Sequence, residues 1–165
     1  MAEDEGKSLG ASRPKKASAL LWSCMVAGVV IFFMAAVAGP KLIGSKLYGN
    51  EAAAIGALKT IQTSQGLYRE QGHADYAGLQ DLEGANLVDT ILGGGTKQGY
   101  VFECRASIAH PNSAWWASAS PEEPGESGSR YFAVNHEGVI HYSPEPIKID
   151  PATCLIPSGT TPVGR

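Results

Sequence analysis

The chain has no run of Lys or Arg, and 13 basic residues against 16 acidic ones leave a formal net charge of −3. A nucleic-acid partner needs a basic stripe to neutralise phosphates, so that class of partner is excluded. Catalytic signatures are missing too. There is no Gly-x-Ser-x-Gly elbow. Gly93-Gly94-Gly95-Thr96-Lys97 looks superficially like a phosphate loop. The P-loop spacing is absent and no strand plainly leads in, so the segment reads as a flexible connection. Histidine is scarce: His73, His110, His136 and His141. His136 and His141 flank a turn, but no Cys or carboxylate completes a metal-ligand spacing, and all four read as surface residues. No cofactor, metal, small-molecule substrate or catalytic residue is expected, and the chain reads as a non-enzyme.

Cysteine is equally scarce: Cys24, Cys104 and Cys154. Cys24 sits in an apolar stretch, where it is a small hydrophobe. Cys104 and Cys154 lie in the C-terminal part and are expected to pair in a disulfide, with two unpaired buried thiols as the alternative. Outside the reducing cytosol such a pair is usually oxidised. Closing a loop of about 50 residues contributes roughly 4 kcal/mol in the chain-entropy model, useful to a small domain with a thin core.

What is present is unevenly spread. Apolar residues make up 44% of the chain, and the 23 positions from Ala17 to Gly39 carry no charge. As a helix they reach about 34 Å, enough to cross a hydrocarbon core of about 30 Å. Backbone groups in such a span must bond internally, which requires the helix. Arg13, Lys15 and Lys16 precede it and favour a cytoplasmic N-terminus, although Lys41 and Lys46 follow on the other side. A cleaved signal peptide is the rival reading, with Ala36-Val37-Ala38 as the small-x-small site. The apolar stretch is longer than a usual signal core, and Pro40 would fall second in the mature chain. The expected division is a disordered cytoplasmic tail over 1–16, a transmembrane helix over 17–39, and an extracytoplasmic domain over 40–165. That places the protein in the inner (cytoplasmic) membrane, single-pass, with its C-terminal domain periplasmic or extracellular.

After Gly39-Pro40 the pattern turns helical. Ile43, Leu47, Ala54, Leu58, Ile61 and Tyr68 recur at steps of three, four or seven, which marks one apolar face. Glu51, Lys59, Gln62 and Arg69 are placed largely elsewhere. Gly44, Gly49, Gly56 and Gly66 each cost about 1 kcal/mol relative to Ala, so this helix needs a partner surface. From Tyr76 to Leu92, Leu79, Leu82, Leu87, Ile91 and Leu92 suggest one or two helical turns packed on the domain.

Strand patterns follow. In Gly99–Arg105, Tyr100, Phe102 and Cys104 share one face. In Ala114–Ser120, Trp115, Ala117 and Ala119 oppose Trp116, Ser118 and Ser120. The rings of Trp115 and Trp116 therefore point to opposite sides. Either one is exposed and available to a partner or glycan, or the following loop covers both. Arg130–Val134 and Val139–Ser143 form a hairpin around Asn135-His136-Glu137-Gly138. Pro144, Pro146 and Pro151 end the sheet, and the tail returns to bring Cys154 near it. The expected fold is α+β: one long N-terminal helix, half in membrane and half in water, packed on a small antiparallel sheet of about four strands.

That layout and certain residues resemble the type IV pilin and type II secretion pseudopilin family. The residues are Ala38-Gly39-Pro40-Lys41-Leu42, then Asn50-Glu51-Ala52-Ala53-Ala54-Ile55-Gly56-Ala57-Leu58-Lys59-Thr60-Ile61, Gly99-Tyr100-Val101-Phe102 and Arg130-Tyr131-Phe132-Ala133-Val134. The resemblance implies a pilin-like head on an extended helix, with membrane and other pilin or pseudopilin subunits as partners. It implies a subunit-interface helix that includes Ile43, Leu47, Leu58 and Ile61. The family's leader ending in Gly before Phe-Thr-Leu-Ile-Glu is absent, and alignment on Pro40 puts the processing point near Ser18-Ala19. The acidic residue used for subunit registration falls near Ser23. Hence the implied role is accessory. The alternative is a stand-alone anchored ectodomain that binds a cell-envelope partner or ligand.

Overall fold

A computed structural model of the chain describes residues 44–164. The expected cytoplasmic tail over 1–16, the expected membrane span over 17–39 and Ile43 lie outside the described residues. Among the described residues no helix is long and apolar enough to cross a membrane.

Helix α1 runs over 44–70 of the described residues. Its inward stripe is the expected one: Ala54, Leu58 and Ile61 are buried, and Tyr68 is partly buried against the same cluster. Leu47 is half-buried. The stripe also holds Glu51 and Gln65, each 1% exposed. That corrects the placement of Glu51 off the apolar face. Steps of four from Leu47 and three to Ala54 put it squarely on the stripe.

Two short helices follow, α2 over Leu79–Gly84 and α3 over Thr90–Gly93. The Asp89 carboxylate caps α3 by accepting the Leu92 N–H at 2.9 Å. Leu79, Leu82 and Leu92 go into the core, whereas Ile91 stays outside at 61% exposure.

The sheet has six strands rather than about four, in the order β1 to β6, every neighbouring pair antiparallel. They are β1 Thr96–Lys97, β2 Tyr100–Ala106, β3 Trp115–Pro121, β4 Tyr131–Asn135, β5 His141–Ser143 and β6 Thr161–Pro162. Both edge strands, β1 and β6, are two-residue pieces, too short to carry an alternating pattern. So the Gly-Gly-Gly-Thr-Lys segment is not merely a flexible connection. It ends α3 and supplies the first edge strand.

β2 alternates as its sequence dictates, with Tyr100, Phe102 and Cys104 buried between exposed Val101, Glu103 and Arg105. Phe132 and Val134 of β4 join that inner face, and the core lies between it and α1. Between β4 and β5, Gly138 donates its N–H to Asn135 O at 2.9 Å and holds φ +81, a conformation that favours glycine. Full burial of an aliphatic side chain such as Leu58 or Ile61 is worth about 1.5–3 kcal/mol. This supplies the partner surface that a glycine-rich helix requires.

Candidate functional site

Three polar clasps fix α1 to the sheet and its loops. The first centres on Glu51. Its Oε1 accepts the Ser129 N–H at 3.0 Å and the Ser129 hydroxyl at 2.8 Å. Its Oε2 accepts Arg130 Nε at 2.9 Å and Nη2 at 2.6 Å. One carboxylate oxygen thus accepts two donors from one edge of the planar guanidinium, and the other oxygen serves Ser129. Burial pushes the Glu51 carboxyl up, but hydrogen bonds from Arg130 and Ser129 and the guanidinium charge outweigh it. The carboxyl is held below its ordinary value of 4.5. Beside it the Tyr100 hydroxyl donates to Arg130 O at 2.9 Å. Burial and then the Glu51 charge push that phenol up to about 12. A Cβ on Gly128 would collide with the Tyr100 ring, so glycine is needed there for the loop to lie over it.

The second clasp is Gln65. Its Nε2 donates to Ala77 O at 2.7 Å, and its Oε1 accepts the Ala77 N–H at 3.0 Å. Both backbone groups of one loop residue are thereby satisfied inside the core. The third is Arg69 at the far end of α1, donating to Ala74 O and, at 2.8 Å, to Asn112 O. Its guanidinium also lies over the Tyr76 ring.

Cys104 and Cys154 are free thiols, both buried, and they belong to different apolar clusters. The parity of the sheet explains this. Cys104 lies opposite Ala117 and faces α1, whereas Trp116 lies opposite Arg105 on the other side and packs with Ala114 and Cys154. The structure holds them unpaired, which corrects the expected disulfide. Burial pushes the Cys104 thiol up to about 12 despite a 3.1 Å hydrogen bond from Gln65 Nε2. Burial also raises the Cys154 thiol. Since the thiolate is the nucleophile, neither residue should react with iodoacetamide at pH 8 in the native protein. Both should be carboxamidomethylated after denaturation, without prior reductant. Peptide mapping that finds Cys104 disulfide-linked to Cys154 would refute this.

Trp115 and Trp116 do point to opposite faces, but neither is available to a partner. Trp115 is 3% exposed beside Tyr76, and Trp116 is 8% exposed beneath Ala114, Cys154 and Ile149. The cover over Trp116 comes from Ala114 just before β3 and from the C-terminal segment through Ile149 and Cys154, where the loop after β3 was expected. Leu58 and Ile61, expected in a subunit-interface helix, are each 0% exposed. They are committed to the chain's own core. Of that expected set, only half-buried Leu47 is described outside it. On the outward side of α1, a Cβ at Gly49, Gly56 or Gly66 would meet nothing. Packing within the chain therefore does not require those glycines.

Sequence reasoning missed Gln65, whose step of four from Ile61 was the available signal, and the shallow cleft of about 460 Å³ among the turns after β2 and β4 and the C-terminal segment. Among the described residues no group of three or more His, Cys, Asp or Glu is placed to hold a metal ion. No family model, curated protein or solved structure matches the chain.

Proposed function

We propose that the chain is a non-enzymatic, membrane-anchored pilin-like subunit, an accessory component of a type IV pilus or type II secretion-like assembly. The observation that carries the reading is α1 laid along an antiparallel meander, its apolar stripe buried, directly after the uncharged stretch 17–39 in sequence. A helix with that many glycines is held by the sheet rather than by its own propensity. In this reading the anchor concentrates copies in one membrane, and contacts between heads fall to exposed surface rather than to Leu58 and Ile61. Continuation of the sheet from copy to copy is disfavoured. Both edge strands are two residues long, and β6 ends in Pro162, which lacks the N–H a ladder needs.

The test is the intact mass of the membrane-extracted protein. The expected result is loss of the leader through about Ser18, as prepilin-type processing would produce. Retention of the whole N-terminus would sink the assembly reading in favour of a permanently anchored, stand-alone ectodomain.

A further inference from the structure

Between β5 and β6 the chain runs 17 residues, Pro144 to Thr160, with no helix or strand of its own. Connections longer than about 12–15 residues are uncommon in compact domains and are usually lids, binding loops or Ω-loops. Both ends of this one are pinned. His141 pairs with Pro162 and Tyr142 with Thr161 in the sheet. Just outside that pairing, Val163 donates its N–H to Ile140 O at 2.8 Å and packs against the main core. The segment between the pinned ends lies over the outer face of the sheet, the Trp116 side, opposite to α1.

Its grip there is thin. Cys154 is the one buried residue of the 17, and with Ile149 it packs on Trp116 and Ala114. That cluster is separate from the core beneath α1. Away from the neck, the segment is held by Ser107 Oγ donating to Ala152 O at 2.5 Å, Ile108 N–H to Pro151 O at 3.0 Å and Asn135 Nδ2 to Cys154 O at 3.1 Å. Two clefts loosen it. One of about 460 Å³ runs beside Ala152 and Leu155 and is lined also by His110 and His136. The other, about 400 Å³, parts its two limbs between Pro146 and Pro157. Closure also carries a cost. Trp116 Nε1 is buried with no hydrogen-bond partner, the one such side-chain atom among the described residues. A buried donor left unpaired has lost its water without replacement, and opening restores that water.

We infer that residues 144–160 form a lid that lifts from Trp116 as one unit while α1 and the sheet stay folded. A segment that buries little apolar surface opens more readily than the core of the same domain. The β5–β6 pairing and Val163 act as the hinge, because they tie both ends of the lid to the main core. Opening bares the Trp116 indole, with the carboxamide of Asn135 opposite it in the sheet and the Ser107 hydroxyl both released from the lid. The closed form withholds that aromatic and polar surface. Lid opening is a property of one chain and holds whether or not copies assemble.

The test is hydrogen exchange of the full chain in detergent, read amide by amide where closing outruns chemical exchange. Cys154 N–H, bonded to Asp150 O, and Ile108 N–H report on the lid. Ala117 and Val134, paired in the sheet and each 0% exposed, report on the core. Relative to unfolded-chain rates, the lid pair should exchange at least a hundredfold faster than the core pair. Ile61→Val weakens only openings that break the main core, so it should speed the core pair several-fold and leave the lid pair unchanged. Ser107→Ala removes a tie of the lid and should speed Cys154 and Ile108 by one common factor. If the four amides are equally protected, or Ile61→Val speeds all four alike, the segment leaves only with the whole domain and there is no lid. If Ser107→Ala speeds Cys154 and Ile108 unequally, the segment frays piecemeal, and the inference falls as well.

Discussion

Replacing Glu51 with alanine is expected to lower the stability of the domain by about 3 kcal/mol, because it strips a buried network of its acceptor. Four hydrogen bonds converge on this carboxylate, two from Ser129 and two from Arg130. The cost is asymmetric. Arg130 keeps 37% of its side chain exposed and Ser129 is an exposed residue, so both donors can recover water, whereas the place of the Glu51 side chain, 1% exposed, is left unfilled. A double-mutant cycle separates these terms. Arg130→Ala alone should cost at least as much as Glu51→Ala, because it leaves the buried carboxylate without its countercharge, and the pair together should cost less than the sum. Chemical denaturation of all four proteins measures it, and strict additivity would show that the network contributes nothing as a unit.

The same carboxylate sets an acid limit. Its folded-state value lies below 4.5, so the unfolded chain binds the proton more readily. The stabilisation is therefore complete above the unfolded value, near pH 4.5, and is lost as pH falls through the lower folded value. Wild type should lose stability below that point more steeply than Glu51→Gln. Parallel acid titrations of the two would expose the error if their slopes were equal.

Much of this fold was legible because hydrophobic spacing reports directly on faces. β2 was read correctly residue by residue, since Tyr100, Phe102 and Cys104 alternate with charged or exposed neighbours. The hairpin at Asn135–Gly138 was legible from its turn chemistry. Glu51 was misplaced because a charge on a helix is expected to face water. Only the partner 79 residues away, Arg130, makes its burial tolerable. Gln65 was overlooked for the same reason. β1 and β6 were invisible because strands of two residues carry no period, and their pairing is set by neighbours rather than by composition. The cysteines were expected to pair because both lie in the C-terminal part, but pairing depends on which face of the sheet each occupies, and they occupy different clusters. The C-terminal segment covers Trp116 by a path that Pro144, Pro146 and Pro151 do not specify. The cleft at His110 and His136 assembles from three distant turns, so no local pattern in the sequence announces it.

Leu58→Ala is expected to be more damaging still, at about 3–4 kcal/mol, and it discriminates between a core residue and a subunit contact. Leu58 is 0% exposed in a cluster that includes Ile61, Phe102 and Phe132. Removing its branched end takes away transfer free energy and leaves a cavity that a close-packed helix–sheet interface collapses into only partly. The loss belongs to one chain, so it should appear undiminished in dilute protein. A residue that stabilised by joining copies would behave differently, because its contribution grows with protein concentration through mass action. Thermal unfolding of wild type and Leu58→Ala across a hundredfold range of concentration therefore decides the matter. A constant gap between the two melting temperatures is the expected result. A gap that closes on dilution would return Leu58 to the surface between subunits and require α1 to pack on something other than its own sheet.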